Sequence, residues 1–125
     1  MYELKIIKHF AAAHQLTLEN SKCENLHGHN WKIELYVKGK EIDENNLLID
    51  FSILKQLLEQ ILNDLDHTFL NKIDYFNNSP SSEIIAKYIA EKMENLLIEY
   101  PLVNVSHVTA WESENACSTY YLTDR

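Results

Sequence analysis

The chain has 125 residues, a formal net charge of −8, 46% apolar residues and 24% charged ones, a balance that predicts one folded domain over residues 1–125. So acidic a surface argues against nucleic acid as a partner, because affinity for phosphate backbones comes from clustered Lys and Arg. No apolar run reaches the roughly 18 to 20 residues that cross a bilayer, and the opening stretch MYELKIIKHF has no export-signal core, so a cytoplasmic location with Cys23 and Cys117 reduced is expected.

Taken in order, the even positions Tyr2, Leu4, Ile6, Lys8, Phe10, Ala12 and His14 alternate as a half-buried strand does. The loop QLTLENSKCENL follows, and loops of that length are often functional. From His27 to Val37 the odd positions His27, His29, Trp31, Ile33, Leu35 and Val37 oppose Lys32, Glu34 and Tyr36, which predicts a second strand with both histidines on its apolar face. Asp50 is placed to cap a helix running to about Leu65, with Leu54, Leu57, Leu58, Ile61, Leu62 and Leu65 on one side. In SPSSE, Ser79 reads as the N-cap and Pro80 as the first residue of a second helix, which continues to about Glu99. Its apolar side is Ile85, Tyr88, Ile89, Met93, Leu96 and Leu97. PLVNVSHVTAWE and CSTYYL read as two strands joined by a turn at SENA.

The order ββααββ predicts an α+β fold, an antiparallel four-stranded sheet with two helices on one face. The other face then needs polar cover or a partner. Trp31 and the two C-terminal tyrosines point to burial against another subunit, and a chain this short has little room for a deep cleft of its own.

His27 and His29 at i and i+2 point the same way, with Gly28 between them leaving the backbone uncrowded. With His14 from the neighbouring strand they offer three imidazoles on one surface. Three protein ligands and an open position is the pattern of a catalytic zinc, whereas structural zinc usually takes four ligands. The alternative is a pair of turn histidines and an unrelated third. Cys23 reads as a fourth ligand, as a nucleophile or base whose thiolate a nearby cation favours, or as an incidental thiol. Asp66 next to His67 can act as a proton relay or be an ordinary helix end. Glu112, on the opposite parity from Trp111, can accept paired N–H···O bonds from a guanidine-like ligand edge or simply be solvated.

Taken together, FAAAH, CENLHGHN, LLIDFSILK, LDHTFLN, SPSSEIIAKYI and TAWES stand in the order seen in the 6-pyruvoyl-tetrahydropterin synthase family, and the chain resembles that family over nearly its whole length. The C-x-x-x-H-G-H spacing is similar to that of its 6-carboxytetrahydropterin branch. The resemblance implies the tunnelling fold, in which ββααββ subunits form a trimeric barrel and two trimers stack into a homohexamer with active sites at subunit boundaries. It implies Zn2+ on His14, His27 and His29, Cys23 as the base, Asp66 and His67 as the proton-relay pair, and Glu112 as the anchor of the pterin ring. Ser81 stands where the family has Thr, so a substrate contact is expected there, and Lys22 beside Cys23 is the candidate for the triphosphate. The implied reaction turns 7,8-dihydroneopterin triphosphate into 6-carboxy-5,6,7,8-tetrahydropterin, acetaldehyde and triphosphate, as a lyase step of queuosine and 7-deazaguanine biosynthesis. The alternatives are pyruvoyl-tetrahydropterin synthesis from the same substrate and a non-catalytic zinc-binding or pterin-binding protein.

Overall fold

A computed structural model of the chain describes residues 1–15 and 27–123. Strands β1 (Tyr2–His14) and β2 (His27–Gly39) pair antiparallel along their whole length, Tyr2 opposite Gly39 and His14 opposite His27. Helix α1 spans Phe51–Asn63, a two-residue strand β3 spans Thr68–Phe69, and helix α2 spans Ser82–Leu96. Strands β4 (Asn104–Ser113) and β5 (Ala116–Tyr121) close the chain as a hairpin with Glu114 and Asn115 at its tip. The sheet order is β3-β1-β2-β4-β5. The four expected strands pair antiparallel with one another. The fifth is an addition, β3 running parallel to β1 with Ala12 opposite Thr68, and it makes the sheet mixed.

Alternation along the strands builds the core. Ile6, Phe10 and Ala12 of β1 and Trp31, Ile33, Leu35 and Val37 of β2 are buried on one face. Against them lie Leu54, Leu58, Ile61 and Leu62 of α1 and Ile85, Ala86, Tyr88, Ile89, Ala90 and Met93 of α2. Strand β4 keeps this phase only because of a bulge. Its register on β2 shifts between Tyr36 and Val37, opposite His107 and Val105, so Ser106 is the extra residue. Val105, Val108 and Ala110 are therefore all buried, and Glu112 follows on the same face.

The helix termini differ from expectation in two places. Asp50 caps α1 as expected, accepting from Ser52 N–H at 2.8 Å, but the helix stops at Asn63. The chain then tightens, with Leu65 N–H donating to the Leu62 carbonyl at 3.0 Å, and this tight turn still buries Leu65. The N-cap of α2 is Ser81, not Ser79; its hydroxyl oxygen accepts from Ile84 N–H at 3.3 Å. Pro80 accordingly lies outside the helix, its carbonyl spent elsewhere. Beyond Leu96 a 3-10 turn, Leu97–Glu99, carries the chain to the expected endpoint.

The uncovered face is polar and aromatic. Glu34 accepts from Lys5 Nζ at 3.1 Å and from the Trp111 indole N–H, and His107 stacks between Tyr36 and Tyr121 with centroid separations of 4.0 and 4.8 Å. Trp31, expected to help cover this face, is instead fully buried in the core, because its odd position in β2 shares the phase of Ile33 and Leu35. No helix among the described residues is long and apolar enough to cross a membrane.

Candidate active site

His14 ends β1 and His29 lies near the start of β2, both on the helix-covered face, and the antiparallel register brings their side chains together. His14 is fully buried and its Nδ1 lies 2.9 Å from the Pro80 carbonyl, which can only accept; the Nδ1–H tautomer follows, with the Nε2 lone pair directed away. Trp31 packs edge-on against both rings at centroid distances of 5.2 Å to His14 and 5.7 Å to His29, restricting their rotation. From β4, Glu112 Oε1 comes within 3.3 Å of His29 Nε2 and 3.6 Å of His14 Nε2.

These donor atoms lie within 4.8 Å of one another, and the group could hold a metal ion. The spacing fits. Metal–nitrogen bonds of 2.0–2.1 Å at tetrahedral angles put ligand atoms about 3.3–3.4 Å apart. The clamp on His14 Nδ1 is also how metal-bound imidazoles are usually oriented. Of the three histidines expected as ligands, His14 and His29 meet. The His27 backbone pairs with His14, but its side chain, like Cys23 and Lys22, lies outside the described residues.

Next to this cluster is a cleft of ≈ 580 Å³ lined by Ala11, Ala12, Ala13, Gly28, His29, Asn30 and His67–Phe69. No atom of the described residues lies within 4 Å of where a Gly28 Cβ would be. A larger cavity of ≈ 760 Å³ at the other end of the sheet, between Lys38–Glu41 and Leu102, Asn104 and Val105, is lined by no histidine and no thiol among the described residues.

His67 lines the cleft, and Asp66 directly precedes it in the chain. Asp66 Oδ1 accepts from Ala11 N–H at 2.9 Å and its Oδ2 lies 3.0 Å from His67 Nδ1. The Ala11 amide above all, and then the imidazole, outweigh partial burial and hold the Asp66 carboxyl below its usual range. His67 adopts φ 57°, a left-handed conformation uncommon outside glycine, and its own N–H donates to the Ala11 carbonyl. The pair is thus fixed to β1 at two points, while the imidazole is 82% exposed. Ser81 is close by in the chain, just past the carbonyl that holds His14, but its oxygen is engaged in capping α2. Residues assigned no role in the site from sequence also shape it: Pro80 through its carbonyl, Trp31 through its packing, and Asn71, which bonds the backbone just after His14. Their only signal was position, inside SPSSE, beside H-G-H and at the end of LDHTFLN.

Residues 3–123 match the protein family described as 6-pyruvoyl tetrahydropterin synthase. The chain belongs to that family. A 6-carboxy-5,6,7,8-tetrahydropterin synthase from Synechocystis sp. is 40% identical over 90 residues, covering 68% of this chain and 69% of the relative. A dihydroneopterin monophosphate aldolase from Pyrococcus furiosus is 35% identical over 103 residues, 82% of each chain. The structure of the Caenorhabditis elegans 6-pyruvoyl tetrahydropterin synthase superposes with a TM-score of 0.83 at 26% identity, covering 98% of this chain and 96% of the other. The fold is therefore that of the family, and the protein is an enzyme of the tetrahydropterin synthase type.

Proposed function

We propose that the protein converts 7,8-dihydroneopterin triphosphate and water to 6-carboxy-5,6,7,8-tetrahydropterin, acetaldehyde and triphosphate, and that it serves queuosine and related 7-deazaguanine synthesis in the cytoplasm. The observation that carries this reading is the junction of a His14–His29–Glu112 cluster with a cleft that is also lined by His67, the partner of Asp66. A zinc ion on His14, His27 and His29 would supply Lewis acidity for the negative charge that develops on the substrate side-chain oxygens.

The chain's own groups do the rest. Cys23, as thiolate, takes a proton from the substrate side chain, and His67 returns or relays it, its ring oriented by the Asp66 carboxylate 3.0 Å away. Glu112 accepts N–H···O bonds from the amidine edge of the pterin, setting which carbon faces the base. Ser81 and Lys22 contribute at the ring and the triphosphate. The assembly in this reading is a homohexamer, a dimer of trimers in which neighbouring subunits complete each site, and the 82% exposed His67 imidazole is open to such completion.

The similarity to the Pyrococcus aldolase favours a second reading, carbon–carbon cleavage of dihydroneopterin monophosphate on the same site. The decisive experiment incubates zinc-loaded protein with each pterin and identifies products by mass spectrometry while trapping released aldehydes. Carboxy-tetrahydropterin with acetaldehyde is expected. A pyruvoyl product would assign the sister activity, glycolaldehyde phosphate with a hydroxymethyl-dihydropterin from the monophosphate would assign the aldolase, and no product from metal-replete protein would leave a binding protein.

A further inference from the structure

Asn71 ends the LDHTFLN motif and sits in a 3-10 turn, Leu70–Lys72, directly after β3. Its carboxamide engages the Gln15 backbone on both sides, Oδ1 accepting from Gln15 N–H at 2.8 Å and Nδ2 donating to the Gln15 carbonyl at 2.6 Å. Nδ2 also faces Asn78, whose backbone oxygen is at 3.2 Å and whose Oδ1 is at 3.0 Å. All three atoms around Nδ2 are acceptors, so only this orientation of the amide satisfies them. Gln15 follows His14 directly. Asn78 lies two residues before Pro80, whose carbonyl holds His14 Nδ1 at 2.9 Å.

We propose that Asn71 is a positioning residue for His14 as a metal ligand. One side chain ties together the backbone beneath His14 and the turn that supplies the ring's hydrogen-bond acceptor. A single bond to Gln15 would leave its peptide free to rotate about the contact; two bonds, in the manner of a strand ladder, fix both its place and its tilt. The neighbouring β3 pairs with β1 over only Ala12 and Ala13, so past that point Asn71 stands in for a ladder that β3 does not continue.

The inference rests on reading His14 as a metal ligand, and its test needs no turnover. Asn71→Asp keeps the acceptor for Gln15 N–H but sets a carboxylate oxygen against three acceptors; Asn71→Ser removes both bonds without adding charge and is read in the same way should Asn71→Asp not fold. Protein stripped of metal is titrated with Zn2+ against a chromophoric chelator, and the visible absorption of the Co2+ form is recorded. Both variants are expected to bind Zn2+ about tenfold more weakly, the lower end of what outer-shell partners of a metal site contribute, and to show an altered Co2+ spectrum. Ile89→Val, in the core and remote in sequence from the cluster, lowers the thermal midpoint while leaving Zn2+ affinity as it was. Variants at Asn71 that lose thermal stability yet keep wild-type affinity and spectrum would make Asn71 a purely structural residue. Wild-type protein that binds no Zn2+ would overturn the ligand reading of His14, and this inference with it.

Discussion

Replacing His67 by Asn separates the chemistry of that residue from its place in the fold. Its φ of 57° costs a non-glycine residue about 1 kcal/mol, and Asn is among the side chains that bear this conformation best. The imidazole is 82% exposed, so little packing is lost, and the N–H donated to the Ala11 carbonyl belongs to the backbone and survives. Unfolding entropy of about 2.1 cal/mol/K per residue over 125 residues makes 1 kcal/mol equivalent to about 4 °C in thermal midpoint. His67→Asn should therefore melt within about 4 °C of wild type, on the higher side if relief of backbone strain dominates. Turnover, followed as acetaldehyde release, should fall by about 10²–10⁴, the usual worth of a positioned acid or base. A variant that turns over at the wild-type rate would remove His67 from the mechanism. One that melts about 8 °C or more lower would refute the account of how the backbone holds it.

Ser81→Ala should cost about 1 kcal/mol as a lost N-cap, seen as a midpoint about 4 °C lower, while Ser79→Ala should change it little; the reverse order would move the start of α2. Cys23→Ala should retain bound zinc and lose turnover, whereas His27→Ala should lose both, with metal content read by atomic absorption. Burial alone would raise the Glu34 carboxyl, but the Trp111 indole N–H and the Lys5 ammonium outweigh it, so its folded pKa lies below the ordinary glutamate value. A depressed carboxyl stabilises the fold above its unfolded pKa and loses that contribution as pH falls through the folded one. Thermal midpoints from about pH 6 to about pH 3 should accordingly drop more steeply for wild type than for Glu34→Gln; parallel curves would show that Glu34 carries none of the acid sensitivity.

Much of the fold was legible because strands and helices announce themselves by periodicity. The alternation from Tyr2 to His14 and from His27 to Val37 predicts two strands with His14 and His29 on the buried face, and there they lie. The leucine spacing after Asp50 predicts α1 and its cap. What escaped was short or depended on a partner far along the chain. Two residues, Thr68 and Phe69, are too few to show a period, and they become a strand only because β1 offers an open edge. SPSSE predicts the cap at Ser79 because Pro80 suits a first helical position; Ser81 caps instead, and Pro80 outside the helix supplies the acceptor for His14.

The site shows the same division. Residue types alone named the chemistry at hand: imidazoles at the ends of two adjacent strands, a thiol between them in the chain, an Asp-His pair and a glutamate near a strand end. Which of the described groups meet was settled by packing. Glu112 reaches His14 and His29 because the extra residue Ser106 shifts the phase of β4, bringing Val108, Ala110 and Glu112 to the core face in line with Val105. His14 presents Nε2 because a carbonyl 66 residues away takes its Nδ1 proton, and its backbone is held by a carboxamide 56 residues from Gln15. Residue types and local periods are properties of neighbours in the chain, whereas a bulge, a tautomer and a clamp are satisfied only by distant backbone groups that packing brings within about 3 Å.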